Sequence, residues 1–150
     1  MKRILIFYYS RTGNTEIMAK AINEEIKSHQ GIEVDLRYQV TPDELSNYDA
    51  IVFGAPTYHR RMTQTISNLL EEAAINKINL KNKIGAAFGS YGWSGEAPKR
   101  VLEVLENIFQ MNVIKSPLLI KYTPRQDSLE KCKEFGKKIV KVIYLNKKAR

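Results

Sequence analysis

Short apolar runs alternate along this chain with stretches whose apolar residues fall three or four apart, and that alternation limits the folds open to it. Residues 3–9 (RILIFYY) form a continuous apolar, β-branched and aromatic run, as expected for a strand buried on both faces. Residues 14–28 then place Ile17, Met18, Ala21, Ile22 and Ile26 on one helical face. Residues 33–40 predict a second strand, and the charged neighbours of Val34, Leu36 and Tyr38 predict an edge position. Residues 41–47 leave room for one turn before a third strand at 48–53. A helix over 63–75, a strand over 83–88, a helix over 97–111, a short strand over 118–121 and a helix over 128–145 complete the pattern. Five strands alternating with helices predict a mostly parallel sheet covered on both faces. Crossovers in such a sheet are right-handed, and ligands bind beyond the carboxyl ends of the strands where the winding reverses.

Size and charge narrow the classes further. The length, 150 residues, fits one hydrophobic core, so residues 1–150 are expected to form a single domain. One cysteine excludes an internal disulfide framework and a multi-cysteine zinc site. No apolar run approaches the ~18 residues of a membrane span. The run after Met1-Lys2-Arg3 is too short for a secretory core, so the expected location is the cytoplasm. Net charge is +8, and the last 26 residues hold nine Lys/Arg against three Asp/Glu. That basic tail stays open to a contact with nucleic acid, an anionic membrane surface or an acidic protein partner, and to the plainer reading of a solvated face of a terminal helix. Tyr144 is the one aromatic in the final dozen residues, which gives poor support to a base-stacking platform and to specific nucleic-acid binding.

Three strand exits carry the chemistry. The first, Ser10-Arg11-Thr12-Gly13-Asn14-Thr15, holds three hydroxyls, an amide and a glycine at a helix start, where backbone N–H groups and the helix dipole favour an anion. The lysine of a nucleoside-triphosphate loop and the G-x-G-x-x-G of a dinucleotide site are both missing, so a terminal monophosphate fits best. The third strand exits through Gly54-Ala55-Pro56-Thr57-Tyr58-His59-Arg60-Arg61-Met62. The fourth exits through Gly89-Ser90-Tyr91-Gly92-Trp93-Ser94-Gly95-Glu96, with the chain's one tryptophan between two glycines. Aromatic side chains and flexible backbone in two neighbouring loops suit a flat conjugated ring. One phosphate, a spacer and a planar ring describe flavin mononucleotide, FMN.

These loops resemble those of the flavodoxin family. Ser10 to Thr15 matches its phosphate signature, a hydroxyl residue followed by x-Thr-Gly-x-Thr. Residues 89–96 are similar to the ring-binding loop of short-chain flavodoxins, and closer still to that of the flavodoxin domain in flavodiiron proteins, where Pro-Thr-Tyr also follows the third strand. The resemblance covers nearly the whole chain. It implies a flavodoxin-like five-stranded parallel sheet of order 2-1-3-4-5, one noncovalent FMN, and one-electron transfer between redox partners. It assigns Ser10, Arg11, Thr12, Gly13, Asn14 and Thr15 to the phosphate. Pro56, Thr57, Tyr58 and His59 fall on one side of the ring, and Ser90, Tyr91, Gly92, Trp93 and Gly95 on the other, with Trp93 the expected stacking ring and Tyr58 second. The chain ends without room for a diiron domain, so oxygen or nitric oxide reduction at such a site is not expected. The connection before residue 118 and the stretch after it leave no space for the insertion of long-chain flavodoxins.

Charge departs from the family pattern. Flavodoxins are usually acidic, whereas His59, Arg60 and Arg61 follow Pro-Thr-Tyr here. The reduced flavin is an anion, and at an effective dielectric of ~20 a positive charge ~8 Å away contributes on the order of 2 kcal/mol before screening. A less negative second potential is therefore expected, as are acidic partners of the ferredoxin or flavoprotein kind, met by a monomer or weak dimer. An alternative is an FMN-dependent NAD(P)H oxidoreductase of quinone, flavin or porphyrinogen type, with the basic rim greeting the nucleotide. Cys132 is expected in the core, and His29 at a helix end. With the two histidines far apart, no metal site is expected.

Overall fold

A computed structural model describes residues 1–146, and the last basic residues, Lys147, Lys148 and Arg150, lie outside that range. The strands are β1 (Lys2–Tyr8), β2 (Ile32–Arg37), β3 (Ala50–Gly54), β4 (Ile84–Tyr91), β5 (Asn112–Val113) and β6 (Leu118–Lys121). The helices are α1 (Asn14–Lys27), α2 (Gln64–Ile75), α3 (Glu96–Asn107) and α4 (Gln126–Leu145), with a 3-10 helix at Pro42–Asn47. All strands pair in parallel in the order β2-β1-β3-β4-β5, and β6 also pairs with β4. This is the α/β flavodoxin-like fold, with β2 at the edge.

Period-two alternation in the strands divides the core. Ile4, Ile6 and Tyr8 of β1 face α1 and α4, with Ala50, Val52, Ala86 and Phe88 beside them. Leu5 and Phe7 face the other way, with Ile51, Phe53 and Ala87, against α2, α3 and the 3-10 helix. Cys132 is fully buried in the first half-core, and burial pushes its thiol up to about 11. His29 sits past the end of α1 with Nε2 2.9 Å from Glu25 Oε2. Among the described residues no helix is long and apolar enough to cross a membrane, and no His/Cys/Asp/Glu cluster could hold a metal ion.

The structure departs locally from the sequence pattern at four places, three of them with an evident physical cause. The fifth sheet position is filled by two pieces, β5 beside Ile84–Gly85 and β6 beside Phe88–Tyr91, separated by a stretch containing Ser116-Pro117. Proline offers no N–H to a ladder and restricts the residue before it. β4 runs through Gly89, Ser90 and Tyr91, expected in a loop, because β6 pairs them on one side and the Thr57 N–H reaches Ser90 O on the other. α3 stops at Asn107 rather than 111, since Gln110 turns left-handed (φ 57°) and carries Met111 into the core. Ile17 and Ile108 lie outside the helix faces predicted for them, 39% and 61% exposed.

Candidate cofactor-binding site

The carboxyl ends of β1, β3 and β4 are drawn together by close backbone approach. A Cβ on Gly89 would sit 2.1 Å from Ala55 O, so no other residue fits there without moving the β3 exit. After β1 the chain turns through Gly13 (φ 92°), a left-handed position that suits glycine. Ser10 Oγ accepts the N–H groups of Gly13 and Glu16, both at 3.1 Å, and so caps α1 from outside the helix. Thr15, 1% exposed, has Oγ1 2.9 Å from Ser90 Oγ and accepts the Ser90 N–H at 3.3 Å. Thr57 Oγ1 accepts the Ala97 N–H at 2.9 Å, which caps α3 from the β3 exit. Of these three hydroxyls, Ser10 caps its own helix, while Thr15 and Thr57 also tie separate loops together.

Between these ties lies a cavity of about 740 Å³, inside the ~300–1,000 Å³ range of ligand pockets. The β1 exit contributes Arg11, Thr12 and Asn14 to its wall. The β3 exit contributes Thr57, Tyr58, His59 and Arg60, and β4 with its exit contributes Ser90, Tyr91, Gly92, Trp93 and Ser94. Ser10, Gly13, Thr15, Pro56 and Gly95 shape these loops without lining the cavity. Tyr122, just past β6, lines it too. No motif around Tyr122 marks it in the sequence, although the strand-exit rule applies equally to β6. Its N–H reaches Tyr91 O at 2.7 Å from a left-handed backbone (φ 62°).

Electrostatics at the cavity are one-signed. Arg11, His59 and Arg60 line it and no carboxylate does. The Arg11 guanidinium lies 5.7 Å from the centre of the Tyr58 ring, within cation–π range. Burial raises the Tyr58 phenol above its ordinary pKa, with Arg11 opposing the shift. The backbone N–H groups of Thr12 and Thr15 meet no protein acceptor among the described residues. Trp93 borders the opening with 87% of its surface exposed.

The β3 exit is also strained. Tyr58 and Arg61 exchange both backbone hydrogen bonds, at 3.1 and 3.0 Å, around a two-residue tip. His59 (φ 51°) and Arg60 (φ 64°) are both left-handed, the type I′ pattern usually given to Asn-Gly.

Comparison with known proteins agrees with this geometry. The family model for flavodoxin matches residues 6–136. The chain belongs to the flavodoxin family. A solved flavodoxin from the domain Archaea superposes with a TM-score of 0.84 at 35% identity, covering 95% of this chain and 99% of its own. Flavodoxin 1 from Bacillus cereus does so at 0.82 and 30%, covering 94% and 98%. A type A flavoprotein of Rhodobacter capsulatus is 35% identical over 92% of this chain, which corresponds to 32% of that protein. The chain spans about a third of the length of the curated relatives it matches. FMN, the family's cofactor, fits the residues present. Free N–H groups and cations at the start of α1 suit its phosphate, and Tyr58, Tyr91, Trp93 and Tyr122 offer apolar surface to its ring.

Proposed function

We propose that this flavodoxin holds one FMN in the cavity and passes single electrons between redox proteins. The observation that carries the reading is the carboxylate-free cavity itself, walled by tyrosines and Trp93 and reaching the start of α1. Likeness to two solved flavodoxins, at 35% and 30% identity, supports the electron-transfer reading. When bound, FMN supplies the one-electron chemistry; the chain binds it, orients it and limits water. Thr12, Asn14 and the N–H groups of Thr12 and Thr15 would hold the phosphate, with Ser10, Gly13 and Thr15 fixing the cradle. Tyr58 and Trp93 would flank the ring, while Thr57, Ser90 and Gly92 set its edge and Pro56 and Gly95 hold the two walls apart. We place the protein in the cytoplasm as a monomer or weak dimer, serving acidic partners.

Incubation with FMN followed by desalting tests this directly. The expected result is a yellow protein with quenched flavin fluorescence that dithionite reduces in two one-electron steps. A chain that stays colourless after excess FMN overturns the reading. Rapid bleaching of the bound flavin by NADPH alone would instead mark an oxidoreductase that uses the nucleotide directly.

A further inference from the structure

Beside the flavin cavity, and sharing its His59–Arg60 wall, lies a second depression of about 640 Å³. Arg61 and Arg100 line it together with His59 and Arg60, and no carboxylate does. Among the described residues none of these three arginines forms an ion pair. Most other described arginines are engaged: Arg3 meets Glu33 and Asp35, Arg37 meets Glu44, and Arg11 stacks on Tyr58. Three guanidinium groups left together without a counter-charge create a field that an anionic surface would satisfy.

The strained tip points the same way. A type I′ turn forms most cheaply with Asn-Gly, yet this one carries His59 and Arg60 at positive φ. Keeping two cationic side chains there against backbone preference indicates that the side chains have a use. Across the cavity mouth Trp93 and Tyr122 are 87% and 61% exposed. Arg, Trp and Tyr are the residue types that dominate protein–protein hot spots, which favours a protein occupant over a small nucleotide.

We propose that the arginine groove, with Trp93 and Tyr122 opposite it, is the docking face for an acidic redox protein. The proposal rests on the reading of the chain as an electron carrier and adds where and through which residues the partner seats. The partner's carboxylates enter the groove while its apolar centre covers the aromatic pair, which brings its redox centre to the cavity mouth. One electron leaves the partner's cluster and one enters the flavin; no bond is made or broken.

The test uses FMN-loaded protein and, as probe, an acidic bacterial ferredoxin carrying two [4Fe–4S] clusters. Arg61→Glu/Arg100→Glu reverses two charges in the groove, and Lys138→Glu/Lys141→Glu makes the same net change on the exposed face of α4, across the sheet. Fluorescence titration with FMN checks the cavity and potentiometric titration checks the flavin potential in every variant, so loss of cofactor and a changed driving force are both separated from loss of docking. Stopped-flow transfer from reduced ferredoxin at low salt is expected to slow by about ten-fold or more in the groove variant and less than about two-fold in the α4 variant. High salt should erase the difference. With basic cytochrome c as acceptor, the groove variant should be the faster one. Amide shifts on adding oxidised ferredoxin should centre on residues 58–62 and 100. Equal slowing in both variants, shifts centred on α4, or groove shifts produced by NADPH and not by ferredoxin would each overturn the proposal.

Discussion

Thr15 Oγ1 and Ser90 Oγ lie 2.9 Å apart, joining the first turn of α1 to the end of β4 across seventy-five residues of sequence. Thr15 also accepts the Ser90 N–H, so two of the three exits that form the cavity are locked to each other by one buried side chain. Thr15→Val keeps the shape, removes the hydroxyl and leaves the Ser90 groups unpaired. It is expected to cost about 1–3 kcal/mol of stability in urea unfolding. FMN affinity should fall by about tenfold or more in a fluorescence titration. Unchanged affinity would mean the tie does not set the cavity.

Gly89 is the tightest point of the sheet's upper edge. Gly89→Ala would drive a Cβ to within 2.1 Å of Ala55 O, against backbone that cannot swing aside like a side chain. A loss of about 2–4 kcal/mol is expected by chemical denaturation, with weakened flavin retention, because the β3 exit must shift to make room.

With FMN in the cavity as proposed, Arg60 and Arg61 should tune its reduction. The reduced flavin is anionic, so removing positive charge beside it should make reduction harder. Arg60→Ala/Arg61→Ala is expected to shift the second midpoint potential by about 20–60 mV in the negative direction, less at high salt, since both side chains are exposed. A potentiometric titration reads the shift; an unchanged or raised potential removes the arginines from the tuning.

Much of this was legible because the decisive residues are consecutive. Ser10 to Thr15 and Pro56 to His59 announce a cradle and a wall with no knowledge of what lies beside them, and alternation alone gives the sheet. What the sequence does not show has one cause: it depends on partners distant along the chain. Gly89-Ser90-Tyr91 reads as a loop because glycine and serine are poor strand formers, yet β6 and Thr57 hold it extended from both sides. Nothing local to Thr15 or Thr57 shows that their hydroxyls also accept the N–H groups of Ser90 and Ala97, seventy-five and forty residues away. Tyr122 escaped notice since its place at the cavity depends on β6 lying beside the end of β4.

The turn at His59–Arg60 carries a stability cost that can be measured. A left-handed residue other than glycine costs roughly 1–2 kcal/mol, partly offset by the greater chain entropy that glycine loses on folding. His59→Asn/Arg60→Gly is expected to raise stability by about 1 kcal/mol in thermal or urea unfolding. Stability that falls instead would show that the two side chains hold the loop.

Alkaline pH should uncouple the core. Burial chiefly, then hydrogen bonds to Glu16 and Asp35, raises the phenols of Tyr8 and Tyr48 above the usual 10.0, and burial raises Tyr58 as well. The folded state therefore binds these protons more tightly than the unfolded chain. Their stabilisation is complete below about pH 10 and is lost as pH climbs through the raised folded values. Absorbance at 295 nm should show Tyr8, Tyr48 and Tyr58 ionising above the range of a free phenol, with circular dichroism lost over the same pH span.

Both margins of the sheet are poor templates for zippering. At one, β2 alternates Glu33, Asp35 and Arg37 with its apolar residues; at the other, the ladder breaks between β5 and β6 around Ser116-Pro117. A neighbouring copy finds no long, flat, apolar row of unpaired backbone groups on which to add a strand. Crowding should therefore leave the molecules dispersed rather than stacked into fibrils.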